Sequence, residues 1–204
     1  MVKKDTRKFK IEKIIPWVLI ITGVVGLMMS AVLIYDETQI SHNPNYKPSC
    51  NLNPVVSCGS VIASKQAQAF HFSKPYLGLV GFAVIVTTGV TLIAGAKLKR
   101  WYWLGLEAGS VFGVAFCMWL FFQSVYRIND LCPFCMVTWV AVITLFWYTT
   151  YYNFWIGNLK LPPKLKAAGK FISRHHVDIL IFWFLVIGAL ILNHFWYYYG
   201  KHFF

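Results

Sequence analysis

Acidic residues are scarce in this chain. Its 204 residues include only 7 Asp+Glu against 19 Lys+Arg, and 58% are hydrophobic. That balance excludes a soluble domain with one core under a coat of mixed charge. Repeated, uninterrupted apolar runs read instead as a polytopic membrane protein. Charged residues are also sparse inside those runs, which argues against a transport path lined by ionisable groups. A net charge of +12 suggests nucleic acid at first sight. The basic residues, however, gather beside the apolar runs, where they orient a membrane protein, and no nucleic-acid partner is expected. Cysteine is scarce too. Four of the five fall into two close pairs, Cys50/Cys58 and Cys132/Cys135, and Cys117 stands alone inside an apolar run.

The runs predict five transmembrane helices, at about Ile14 to Tyr35, Leu77 to Ala96, Leu104 to Tyr126, Leu131 to Tyr152 and Ile179 to Tyr199, each long enough to cross a bilayer. The first exceeds the apolar core of a signal peptide and reads as a retained anchor. The expected organisation is a basic N-terminus over 1–13, a four-helix unit over 14–152, a basic connection over 153–177, and a fifth helix with a short tail over 178–204. The longest connection, 36–76, carries Cys50 and Cys58. Its first half is crowded with Pro and Asn, which favour turns. Its second half, Ser60 to Phe72, is expected to form a short interfacial helix capped by Ser60. Trp101 to Trp103 and Phe195 to Tyr199 read as aromatic interface belts.

Fourteen Lys/Arg fall on the side of the N-terminus and five on the other. The positive-inside rule therefore places the N-terminus in the cytoplasm and both cysteine pairs on the outer face, where disulfides form and persist.

Cys132 and Cys135 are three apart, so on a helix they share one face. Pro133 suits a first helical turn, and the positive end of the helix dipole favours a thiolate there. Thiol–disulfide exchange passes electrons between pairs that meet in space. A pair on an outer loop can reach a soluble partner, and a pair at a helix mouth can reach a lipid-soluble acceptor. Plainer readings also stand: a structural staple for Cys50/Cys58 and a zinc half-site for Cys132/Cys135. Seven residues separate the first two thiols, against roughly two to four in zinc sites, so no metal is expected. Cys117 reads as a packed hydrophobe. Glu107, near the rim of the third span, reads as solvated, Gln123 lies near that span's other end, and Asp130 reads as a cap of the fourth helix. His175 and His176 receive no role.

Three stretches carry a family resemblance: Pro48-Ser-Cys-Asn-Leu-Asn-Pro-Val-Val-Ser-Cys-Gly-Ser60, Leu77-Gly-Leu-Val-Gly-Phe82 and Leu131-Cys-Pro-Phe-Cys-Met136. Over roughly 15–152 the chain resembles bacterial homologues of vitamin K epoxide reductase. The resemblance implies an all-α polytopic membrane protein of the cytoplasmic (inner) membrane, with a four-helix transmembrane catalytic bundle around a quinone, ubiquinone or menaquinone, plus a fifth transmembrane helix. Some relatives continue into a fused thioredoxin-like domain. This sequence ends at Phe204, so a separate thioredoxin-fold partner is the expectation. By the same resemblance, Cys50 takes the mixed disulfide with that partner, Cys58 passes electrons to Cys132, and Cys135 faces the quinone. Ser64, six beyond Cys58, and Trp139, four beyond Cys135, fall at the quinone pocket. Lys74 stands where relatives commonly carry an asparagine that contacts the quinone carbonyl. Two alternatives are a reductase of quinone or vitamin K epoxide used reductively, and a disulfide-clipped scaffold without turnover.

Overall fold

The computed structural model describes residues 2–43, 45–51, 53, 55–63, 74–159, 175–196 and 198. Six α-helices account for most of them: α1 Val2–His42, α2 Cys58–Ala63, α3 Lys74–Ile93, α4 Arg100–Phe122, α5 Pro133–Ile156 and α6 His176–His194. Five are long and apolar enough to cross a membrane, and the fold is that of an all-α polytopic membrane protein. The only β pairing among the described residues is two isolated bridges, Asn53 with Val56 and Val56 with Leu131.

Most helix ends follow from local chemistry. Pro75 occupies the first turn of α3, where a missing N–H costs no hydrogen bond. Gly95 closes that helix in the left-handed region at φ +89°, and Gly157 does the same for α5 at φ +84°, conformations glycine adopts without steric cost. The α4 helix ends by widening into a π-helical turn, Gln123–Ile128, stopped by Asn129 at φ 60°. Ser124 fastens that turn by donating its hydroxyl to the Asp130 carbonyl. The expected cap of α5 was Asp130. The N-cap is instead Cys132, whose sulfur accepts the Cys135 N–H.

The first helix runs further than expected. It contains 41 residues, about 60 Å at the α-helical rise, against roughly 30 Å for the hydrocarbon core. Its last two turns, expected as the start of a loop at Asp36, stay helical to His42. Leu33, near the end of this helix, packs against Cys50, Cys58 and Cys132, and Asp36, one turn on, is buried.

α1 packs along α3 and α5, and α4 packs on α5, whereas α3 and α4 diverge although a short turn joins them. One buried cluster (Phe82, Val114, Phe121, Trp139 and others) fills the end of the bundle that carries the cysteines. A second (Ile15, Leu19, Ile85, Trp103, Leu145, Tyr152) fills the opposite end. α6 lies outside, against α5 and the π turn. The Trp147 indole donates to the His176 carbonyl at 2.8 Å, the His176 ring stacks on Tyr151, and His194 Nε2 meets Asn129 Oδ1 at 2.8 Å. His175 pairs with Asp178.

Glu107 departs from its expected solvated state: it is 8% exposed. It accepts from the Thr150 hydroxyl at 2.6 Å and from the Asn153 amide at 3.0 Å. Asn153 also accepts from Asn158, whose carbonyl takes two bonds from Arg100. This chain of bonds ties α4 to α5 away from the cysteines. Glu107→Ala would remove the acceptor that Thr150 and Asn153 share and leave them only the Phe146 and Trp103 carbonyls, with an expected loss of about 1 kcal/mol. Glu107→Gln, which keeps an acceptor, should lose less. Denaturant unfolding of both variants checks it.

Candidate redox site and apolar cavity

The loop before α2 is held down by side-chain capping. Asn51 Oδ1 accepts from the Cys58 and Gly59 N–H groups, each at 3.0 Å, and from the Ser57 hydroxyl. The Ser60 N–H reaches the Ser57 hydroxyl at 3.4 Å. The helix therefore starts at Cys58, with Ser57 and Asn51 doing the capping expected of Ser60. Residues 64–72 of the expected helix lie outside the described residues, and with them Ser64. A donated N–H from Leu131 to the Val55 carbonyl (2.8 Å) and one from Ser57 to the Leu131 carbonyl (2.9 Å) then dock this loop onto the approach to α5. Two backbone bonds thus bring the first cysteine pair to the second.

Cys50 and Cys58 form a disulfide, while Cys132 and Cys135 are free thiols. Cys132 Sγ lies 3.2 Å from Cys58 Sγ. Together with Leu33 of α1, the sulfurs of Cys50, Cys58 and Cys132 form one buried cluster, bordered by Cys135. Exposure is graded across it: 4% at Cys50 and 0% at Cys58 and Cys132.

A hydrogen bond from the Cys135 thiol holds Cys132 below the ordinary thiol pKa, helped by the Cys135 and Phe134 N–H groups and opposed by burial and by the Asp36 charge. The sign is that of a thiolate favoured in the folded protein: charge on Cys132 persists as pH falls below the usual thiol range and is lost only at lower pH. Thiolate absorbance of the Cys117→Ser protein in this redox state should titrate below 9, and adding Cys135→Ala should move the midpoint upward.

Cys135 faces the other way. It opens on a cavity of about 660 Å³ between α1, α3, α4 and α5, roofed by Val61 and Ile62 of α2. Such a volume is in the range of small-molecule pockets. The walls are mostly apolar, and the polar groups that line it include Lys74, Gln123, Thr138 and Cys135. Trp139 also lines it, one turn below Cys135, and packs edge-on against Phe121 at 5.5 Å. The Lys74 Nζ lies 5.3 Å from the centre of the Trp119 ring. Cys117 is 6% exposed and reaches the cavity wall. None of the cavity's lining comes from α6. Among the described residues no cluster of three or more potential metal ligands exists.

The vitamin K epoxide reductase family model matches residues 17–150. The chain belongs to that family. Its coarse chemistry follows: a multi-pass membrane oxidoreductase, of a family that acts with quinones. The matched segment holds all five helices from α1 to α5 in large part, every cysteine and the whole cavity. α6 lies beyond it.

A quinone fits this cavity on its own terms. A flat ring with an apolar tail needs apolar walls, hydrogen-bond donors and a thiol, and Lys74, Gln123 and Cys135 in the lining supply the last two. Sequence reasoning missed Asn51 as the organiser of the loop. The signal available was an Asn six to eight residues ahead of a Ser-Cys-Gly helix start, which is a weak one. It also missed Asp36, because the extra helical turns that bury it are not visible in hydropathy.

Proposed function

We propose that the protein is a thiol:quinone oxidoreductase that drives disulfide formation outside the cytoplasm. The observation that carries this reading is the unbroken path from Cys50 through Cys58 and Cys132 to Cys135 at the cavity wall. A reduced thioredoxin-fold partner attacks Cys50, the less deeply buried cysteine of the loop disulfide, and leaves oxidised when its second thiol resolves the mixed disulfide. The Cys58 thiolate then attacks Cys132 of an oxidised Cys132–Cys135 pair and frees Cys135. Cys50 closes on Cys58 and releases Cys132. The arrangement described above, with a loop disulfide beside two free thiols, corresponds to the point just after that transfer. The quinone, ubiquinone or menaquinone, supplies a two-electron acceptor. Toward it Cys135 presents its sulfur, Lys74 and Gln123 offer donors from the cavity lining, and Trp139 walls the ring. Ser64, from the loop, joins this set in the same reading.

In this orientation the N-terminus is cytoplasmic and both pairs face outward in the inner membrane, as the charge asymmetry favours. The basic turn between α3 and α4 lies at the end of the bundle opposite the cysteines, in keeping with that topology. The test is anaerobic quinone reduction by the purified protein with a reduced thioredoxin-fold donor, expected to turn over many times per protein. Quinone left untouched with every donor would refute the proposal and return the loop disulfide to a structural staple.

A further inference from the structure

The relay as described leaves α6 without a task. That helix lies beyond the segment the family model matches and adds no described residue to the cavity lining. Its C-terminal end is nevertheless seated in the redox end of the bundle. Phe195, at the close of the helix, is the largest fully buried side chain among the described residues. With Ile191 it belongs to the buried cluster that also holds Val125, Leu131 and Trp139. Beside it the His194 Nε2–H donates to Asn129 Oδ1 at 2.8 Å, and the His194 ring stands edge-on to Tyr126 at 4.9 Å. One apolar and one polar anchor thus hold the π turn from α6.

Asn129 is where such a hold has most leverage. Among the described residues it is the one non-glycine at positive φ, and its N–H closes the turn on the Ser124 carbonyl. Two residues on, Leu131 makes both backbone bonds that dock the cysteine loop. Its buried side chain lies in the cluster of Phe195. Cys132 follows directly, its sulfur 3.2 Å from that of Cys58. From Asn129 to Cys132 the chain spans at most about 10 Å, so a shift of the turn reaches the sulfur with little slack. Reacting atoms need to stand about 3–3.5 Å apart, and a misplacement of about 1 Å can cost on the order of 10²-fold.

Resting on the relay proposed above, we propose that α6 sets the junction between the two cysteine pairs, with His194 and Phe195 as positioning residues for the exchange between Cys58 and Cys132. Neither belongs to the sulfur cluster or to the cavity lining. They act through Asn129 and Leu131. The exchange they govern can be isolated by running the relay's closing step backwards, through the same transition state. The Cys132 thiolate attacks Cys58, a Cys58–Cys132 bond forms, the Cys50–Cys58 bond breaks, and Cys50 leaves as a thiolate. No electrons are gained or lost, and the protons of Cys132 and Cys50 exchange with solvent.

The experiment needs neither quinone nor donor. The oxidised full-length protein carrying Cys117→Ser and Cys135→Ser is held in detergent at one fixed pH with excess small maleimide. Cys50 is blocked in the loop disulfide and opens to the maleimide when Cys132 attacks Cys58, and mass spectrometry follows its alkylation. Adding Cys132→Ser should abolish that signal. His194→Ala and Asn129→Gly should each slow Cys50 alkylation about 10-fold. The glycine keeps the left-handed backbone and removes only the side chain that His194 holds. The double variant should be no slower than either single one, because both break the same bond. His194→Gln, whose amide can donate to Asn129, should recover most of the rate. Phe195→Leu should slow the exchange as well, and if that protein does not fold, the His194 and Asn129 variants decide alone. Denaturant unfolding, measured alongside, separates position from stability. A slowing of less than about threefold in both single variants, additive slowing in the double variant, or no recovery in His194→Gln would overturn the assignment. Cys50 alkylation that does not depend on Cys132 would instead overturn the relay itself.

Discussion

Cys135→Ser should reduce no quinone above the uncatalysed background, whether the electrons come from a protein donor or a small dithiol. Of the four paired cysteines, only Cys135 lines the cavity. Cys132 is fully buried behind it against Cys58, so no other paired sulfur can hand electrons to a ring lying there. Serine keeps the size and a hydroxyl but cannot form the disulfide that stores the electrons. Cys50→Ser should behave differently. It removes the sulfur that a protein donor attacks but leaves Cys58, Cys132 and Cys135. Turnover with the protein donor should fall to background while a small dithiol, able to reduce the inner pair directly, keeps much of its rate. Cys117→Ser is the control. Cys117 also touches the cavity, yet it lacks a cysteine partner and should retain activity. A Cys135→Ser protein that still turns over, or a Cys50→Ser protein dead with both donors, would break the assigned order of the relay.

The parts of this arrangement that were legible in the sequence are those written in composition and short spacing. Five apolar runs gave five helices, and Cys132-Pro-Phe-Cys135 gave a helix start with two thiols on one side. Lys74 and Trp139, placed at the pocket by resemblance, do line the cavity. What was not legible depends on where helices stop and on what packs across them. Hydropathy ends the first span near Tyr35 because Asp36 and Glu37 are charged. Tyr46, ten residues on, is what allows Asp36 to remain in a buried helical turn. Glu107 read as solvated because its donors, Thr150 and Asn153, lie more than forty residues away on another helix. The π turn at Gln123–Ile128 has no simple period. It is recognisable only by its closing contacts, Ser124 with Asp130 and Asn129 with His194.

The close crossing of α1 and α3 supports the remaining large effect. A Cβ at Gly89 would lie 2.9 Å from the Pro16 carbonyl oxygen and 3.1 Å from the Ile20 nitrogen. A Cβ at Gly23, on the facing helix, would lie 3.1 Å from the Val86 nitrogen. These are backbone atoms, so no rotamer change can make room and the helices must separate. In a bilayer, lipid tails offer no less apolar company than a neighbouring helix does. Close backbone packing at small residues is then a principal source of association. Gly89→Val should therefore destabilise the bundle by about 1–3 kcal/mol or more. It should also lower quinone turnover, because α1 and α3 are two walls of the cavity and α1 carries Leu33 to the sulfurs. Gly81 gives the contrast: it is on the same helix, but a Cβ there meets nothing within 4 Å and points to the cavity it lines. Gly81→Ala should leave denaturant unfolding close to wild type, and any effect it has should appear in the KM for quinone. Equal stability losses at the two positions would mean that generic helix propensity, rather than the close contact of α1 with α3, governs them.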